Sequence, residues 1–184
     1  GLGDVYKRQG LVLYNPSASL KPGFYVRGDG QVERGTVVTI PVHAVDLAYV
    51  DEGHMKAAGD RLLKRIAAIG GDRVCSTQGQ ILFNDVRVAA VSEMDSAGIA
   101  LPQWSGCVIL RDGEVFLLGD DALSFDGRYW GVTSVADIEG LAQGSLTRER
   151  FSVARGLDAG LDLEQGVADQ RNDDFLFVAD QVVD

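Results

Sequence analysis

Histidine and cysteine are scarce in this chain, with two of each in 184 residues. There is no Cys-x-x-Cys pair and no Cys/His cluster, so no metal site and no cofactor is expected. His43 and His54 lie in a segment with no neighbouring serine and no glycine-rich or turn-like setting. They read as structural or surface residues rather than as the base of a Ser-His-Asp triad. Long apolar runs are missing as well: nothing reaches the roughly 18 residues that a spanning helix needs, so the sequence as it stands does not cross a membrane. Clustered Lys and Arg are also lacking. The formal net charge is −10, and residues 155–184 hold eight acidic and two basic side chains, or −6 of it. That balance excludes a nucleic-acid partner and reads as a solvated, partly disordered acidic end. Internal repeats are absent.

What is present points to a β-rich, turn-rich chain. Its 46% hydrophobic and 24% charged composition is globular, and its 23 glycines are scattered among Val-rich runs. Residues 4–9 read DVYKRQ, which a common transposon-derived sequencing adapter encodes in frame, so residues 1–9 are set aside as an artefact. Strands are expected at GLVLY (10–14), GFYVRG (23–28), GTVVTIPV (35–42) and GEVFLLGD (113–120). DRVCSTQGQILFNDVRVAAV (72–91) reads as a hairpin turning at Asn84-Asp85. HAVDLAYVDEGHMKAAG (43–59) is helix-compatible, DALSFDGRYWG (121–131) reads as a loop, and VTSVADIEGLAQ (132–143) as one returning strand. The organisation is one folded domain over 10–145 and an acidic tail over 146–184.

Two segments carry candidate chemistry. In RLLKRIAAI (61–69), a strand would set Lys64 and Arg65 on opposite faces and Lys64 beside Leu62 and Ile66. Burial disfavours a charged amine, and a neutral amine is a competent general base for a serine hydroxyl. The same pattern also suits a Lys-Arg pair on a half-exposed strand. In YNPSASLKPGFY (14–25), Pro16 and Pro22 stiffen a segment with hydroxyls at Ser17 and Ser19. In an extended backbone both project to one side, so Ser17 could donate to an oxyanion formed when Ser19 attacks a carbonyl. A surface turn rich in Ser and Pro is the alternative.

Together with GEVFLLGDDALSFDGRYWG (113–131), these segments resemble, in one order, the signal peptidase I family. That family carries Pro-Ser-x-Ser-x-x-Pro, filled here by Pro16, Ser17, Ser19 and Pro22. Its Lys-Arg pair ahead of a Pro-Gly-Asp turn matches Lys64, Arg65, Gly71 and Asp72, with Gly70 in place of proline. Its last signature matches Gly119, Asp120, Ser124, Asp126, Arg128, Tyr129, Trp130 and Gly131. Asp121 stands there for an asparagine and Gly127 for a serine. Within the family the chain looks most like the TraF type of conjugal transfer systems, on Asn15, Gly23-Phe24-Tyr25 and residues 92–118.

The resemblance implies a mainly β, signal-peptidase/LexA-like, β-barrel-type catalytic domain with a short helix and irregular loops. It implies a serine endopeptidase in which Ser19 is the nucleophile, Lys64 the base, and Ser17 with the Ser19 N–H the oxyanion donors. Ser124 would orient the lysine, and Asp126 with Arg128 would form an ion pair nearby. The implied substrate is an extended peptide or pre-protein, pilin-like for the TraF type, with cyclisation of the product. The implied location is the inner membrane, with the catalytic domain in the periplasm and a tether preceding Leu11. In that oxidising compartment a Cys75–Cys107 disulfide is implied, where the cysteines alone leave open two thiols or one bridge. The rival readings are a general signal peptidase I, a LexA-like self-cleaving repressor, which lacks its basic domain here, and an inactive β-barrel binding module.

Overall fold

A computed structural model describes residues 12–28, 30–45, 48–51, 61–146 and 175–177. The Val-, Ile- and Leu-rich segments form strands: β1 (Val12–Asn15), β2 (Gly23–Gly28), β3 (Val37–Pro41) and β4 (Arg61–Ile69). After these come β5 (Arg73–Thr77), β6 (Gln80–Phe83), β7 (Val86–Ala90), β8 (Gly106–Ile109) and β9 (Glu114–Leu118). The series closes with β10 (Val132–Ser134), β11 (Gly140–Leu146) and β12 (Phe175–Phe177). Two one-turn α-helices, α1 (Ala48–Asp51) and α2 (Gly127–Trp130), and two 3-10 turns complete the described elements. The strands make an eight-stranded sheet in the order β10-β9-β4-β3-β11-β2-β1-β12 and a four-stranded sheet in the order β7-β6-β5-β8. The mainly β class expected from the sequence holds.

β4 is the strand that matters most. β3 pairs with it antiparallel, with Val38 opposite Lys64 and Ile40 opposite Leu62. Its other edge meets β9 from Arg65 onward, with a bulge between Ile66 and Ala68. Both faces are covered. Leu62 and Ile66 pack with Val38, Ile40, Leu117, Phe125 and Tyr129. Leu63 packs on the opposite side with Leu13, Leu20, Tyr25 and Val37. β3, with its β-branched Val-Val-Thr-Ile run, is buried along its whole length.

The structure corrects the sequence reading at several elements. The single hairpin expected over 72–91 is a three-stranded meander. Its turn at Asn84-Asp85 has φ values of 49° and 71°, a type I′ pattern, but a second turn at Gln78-Gly79 has 51° and 69°. Glutamine is an uncommon residue at positive φ, so only Gly79 signalled that turn. Of the helix-compatible stretch 43–59, residues 42–44 form a 3-10 turn and 48–51 form α1; residues 46–47 and 52–60 lie outside the described residues. The loop 121–131 contains α2, capped by the Asp126 carboxylate on the Arg128 N–H. The one strand expected over 132–143 is two, β10 and β11, separated by a 3-10 turn at Val135–Asp137. Within the stretch read as an acidic tail, β12 pairs parallel with β1, Val12 opposite Phe175.

Two connections fasten the small sheet. Cys75 on β5 lies directly opposite Cys107 on β8, and the two form a disulfide with Cα atoms 4.1 Å apart. This is near the about 4.5 Å of a facing non-hydrogen-bonded antiparallel pair. The other is the turn at Gly71-Asp72. Gly71 adopts a φ of +90°, and the Asp72 side chain accepts hydrogen bonds from the Ile69 N–H at 2.9 Å, from Asn84 at 2.9 Å, and from Arg34. Burial by itself would raise the Asp72 carboxyl. The bonds from Ile69, Asn84 and Arg34 outweigh that and hold it below the usual range.

Two stability predictions follow from these connections. Replacing Cys75 and Cys107 by serine should cost about 3–4 kcal/mol by the chain-entropy argument, read as a lower urea midpoint than that of the oxidised protein. Asp72 is a depressed carboxyl, so its contribution is present above its unfolded value of about 3.9 and is lost as pH falls through its lower folded value. Asp72→Asn should therefore be less stable than wild type at pH 7. The gap should narrow below about pH 4, as measured by urea unfolding across pH.

Candidate active site

The serine segment is a turn between β1 and β2 rather than extended chain. Asn15, the last residue of β1, is fully buried and closes the turn. Its Oδ1 accepts the Ser17 N–H at 3.1 Å, and its Nδ2 donates to the carbonyls of Ser17 and Leu20, each at 3.1 Å. Local side-chain bonding of this kind competes with regular strand structure, which is why residues 16–20 leave the ladder. Leu20 anchors the turn in the core beside Leu63 and Tyr25. The Tyr25 hydroxyl donates to the Lys21 carbonyl at 2.6 Å; burial pushes that hydroxyl up, with the Arg65 charge opposing in part. The two serines meet through the turn: the Ser19 N–H donates to Ser17 Oγ at 3.0 Å. Ser19 itself has no exposed surface.

Lys64 also has no exposed surface. As the strand alternation required, it shares the face of Leu62 and Ile66. Its Nζ donates to Ser124 Oγ at 2.9 Å. Arg65 points the other way and grips the Asp120 carboxylate with two bonds, Nε at 2.9 Å and Nη2 at 2.8 Å. Its Nη1 donates to the Gly35 carbonyl at 2.9 Å. Neighbouring residues of β4 thus hold the loop after β9 from both of its faces.

That loop, residues 119–126, joins the serine turn to the lysine. The Asp120 N–H donates to the Ser19 carbonyl. A Cβ on Gly119 would lie 2.1 Å from Ser124 Oγ and 2.8 Å from the Ser19 carbonyl oxygen. Glycine is therefore required where the serine turn and the partner of Lys64 meet. The loop is closed from behind by a buried ion pair: Arg128 Nε and Nη2 bind Asp126 Oδ1 and Oδ2 at 2.9 and 2.8 Å. Arg128 also donates to the carbonyls of Asp121 and Ala122, and Asp126 accepts the Gly119 N–H at 2.8 Å. Each buried charge has several partners, the condition for such a pair to be tolerated in a core. Phe125, between Ser124 and Asp126, stacks on Tyr129 at 5.3 Å and on Tyr49 at 5.0 Å. Burial, then the hydrogen bond to Asp95, pushes the Tyr49 hydroxyl up to about 12.

The structure therefore gathers Ser17, Ser19, Lys64, Ser124, Asp126 and Arg128 around one loop. His43 is exposed, and His54 lies outside the described residues. Sequence reasoning gave no role to Asn15, Gly119 or Asp120. The Asn-Pro-Ser order at 15–17 was a usable signal for the first, since Asn ahead of a turn bonds its own backbone.

Residues 11–146 match the sequence model of the family described as signal peptidase, peptidase S26. The chain belongs to that family, and with it come serine peptidase chemistry and a peptide or pre-protein substrate. No curated protein matches. Among solved structures the chain is similar to a signal peptidase I from Enterococcus faecalis V583, at 19% identity and a TM-score of 0.37, covering 65% of this chain and 100% of that one. Signal peptidases of this kind are typically membrane-associated; among the described residues no helix is long and apolar enough to cross a membrane.

Gly127, where the family pattern has serine, marks a local departure. A Cβ there would lie 2.6 Å from the Leu117 carbonyl oxygen and 3.0 Å from the Phe116 ring. Gly127→Ser should therefore destabilise the protein by about 1–3 kcal/mol, as overpacking does. The measurement is the thermal midpoint, and peptidase activity should fall with it.

Proposed function

We propose that the protein is a Ser-Lys endopeptidase of the TraF type, which processes a pilin-like precursor at the outer face of the inner membrane. The observation that carries this reading is the shared loop: a fully buried Lys64 bonds Ser124, and the Asp120 N–H of the same loop bonds the carbonyl of a fully buried Ser19. In this reading Lys64 Nζ takes the proton of Ser19 Oγ as that oxygen attacks the scissile carbonyl. The proton then passes to the leaving amine, and an acyl-enzyme remains on Ser19. Water, or the amine of the same peptide, resolves it to a linear or a cyclic product.

Ser17 Oγ keeps its own O–H to donate to the oxyanion. The Ser19 N–H, given to Ser17 Oγ in the resting turn, turns to the oxyanion as the acyl carbon bonds Ser19 Oγ. The substrate lies extended along β4. In this reading the peptide adds as a strand to the sheet, the mode by which extended substrates are commonly held.

Ser19→Ala and Lys64→Ala should each abolish peptide cleavage with the fold retained, and the double variant should be no slower than either single, because the two act as a unit. Ser17→Ala should lower turnover by about 10²–10³, the usual loss for one oxyanion donor. Near-native turnover in Lys64→Ala would overturn the mechanism. Mass spectrometry of the product separates the TraF reading from a general signal peptidase: a cyclic product is lighter by one water than the hydrolysed peptide. Only linear products from a pilin-like precursor would favour the general enzyme.

A further inference from the structure

The motif that the family shares begins at Pro16, and the resemblance gives Asn15 no role. The geometry gives it one. Its side chain is fully buried, and the three bonds described above join Nδ2 and Oδ1 to backbone groups within the five residues that follow. Ser17 is held by Asn15 at both its N–H and its carbonyl, and Ser17 Oγ in turn receives the Ser19 N–H. The base of the turn is fixed by the pairing of Asn15 with Gly23 and by the 5.0 Å contact of the Tyr14 and Phe24 rings one step earlier.

We infer that Asn15 is the positioning residue of the nucleophile turn, setting Ser17 and through it Ser19 against the loop that carries Ser124. This rests on the reading of Ser19 as nucleophile. No other side chain reproduces the set. Aspartate keeps the acceptor for the Ser17 N–H but loses both donors and sets a carboxylate against two carbonyl oxygens. Glutamine adds a methylene to a fully buried site and moves its amide away from the three backbone groups. Asn15 does not touch the reacting atoms; it acts on geometry, where a displacement of about 1 Å can cost about 10²-fold in rate.

The test compares wild type with Asn15→Asp and Asn15→Ser, each assayed per folded molecule. The turnover number should fall about 10–100-fold while KM changes little, since only the placement of the nucleophile is altered. Combining either variant with Ser17→Ala should add little further loss, because Asn15 works through Ser17. Amide exchange at Ser17 and Ser19 should quicken in both variants, a readout that needs no activity. Native turnover per folded molecule, a loss that adds in full to that of Ser17→Ala, or unchanged exchange at Ser17 and Ser19 would overturn the inference. If Ser19→Ala retains peptide cleavage, the nucleophile reading fails instead, and amide exchange alone then decides whether Asn15 orders the turn.

Discussion

Everything around the site depends on a lysine amine that has been taken out of water. A buried amine is tolerated only with a hydrogen-bonding partner, and Ser124 Oγ provides one to Lys64. Ser124 can do so only because its loop is pinned. The Asp126–Arg128 pair closes the loop, the Phe125 ring stacks in the core, and Arg65 holds Asp120 from the far side. The same loop then reaches the Ser19 carbonyl through the Asp120 N–H. The position of the serine turn is thus tied to the burial of a residue on another strand.

β4 makes this possible because it is buried on both faces. One face supplies the apolar surroundings of Lys64, and the other packs Leu63 against Leu20, the anchor of the serine turn. A strand with one wet face could do only half of this. The alternation of Lys64 and Arg65 sends one basic side chain into the core and the other to a carboxylate at the rim, and both act on a single loop.

Much of this was legible in the sequence. The strand at 23–28 was marked by its apolar run between glycines, and once 61–69 is a strand the facing of Lys64 follows from alternation alone. The turn at Asn84-Asp85 was signalled by residues that tolerate positive φ; its neighbour at Gln78-Gly79 was not. The serine segment was read as a proline-stiffened stretch whose two hydroxyls would share one side of an extended backbone, with a surface turn as the alternative. The structure makes it a turn because Asn15 satisfies its backbone groups, a choice that only three-dimensional bonding shows. Gly119 was legible as part of a motif, but not as the point where two segments come within contact distance.

Gly127 also limits how the site can be altered. A helix seated this near the Leu117 carbonyl leaves no room for a side chain. Any residue larger than glycine must lift α2 from β9, and the shift passes back along the chain to Ser124, three residues earlier, which bonds the lysine amine. The spacing between the partner of the lysine and the strand beneath it is therefore set by the absence of one carbon atom.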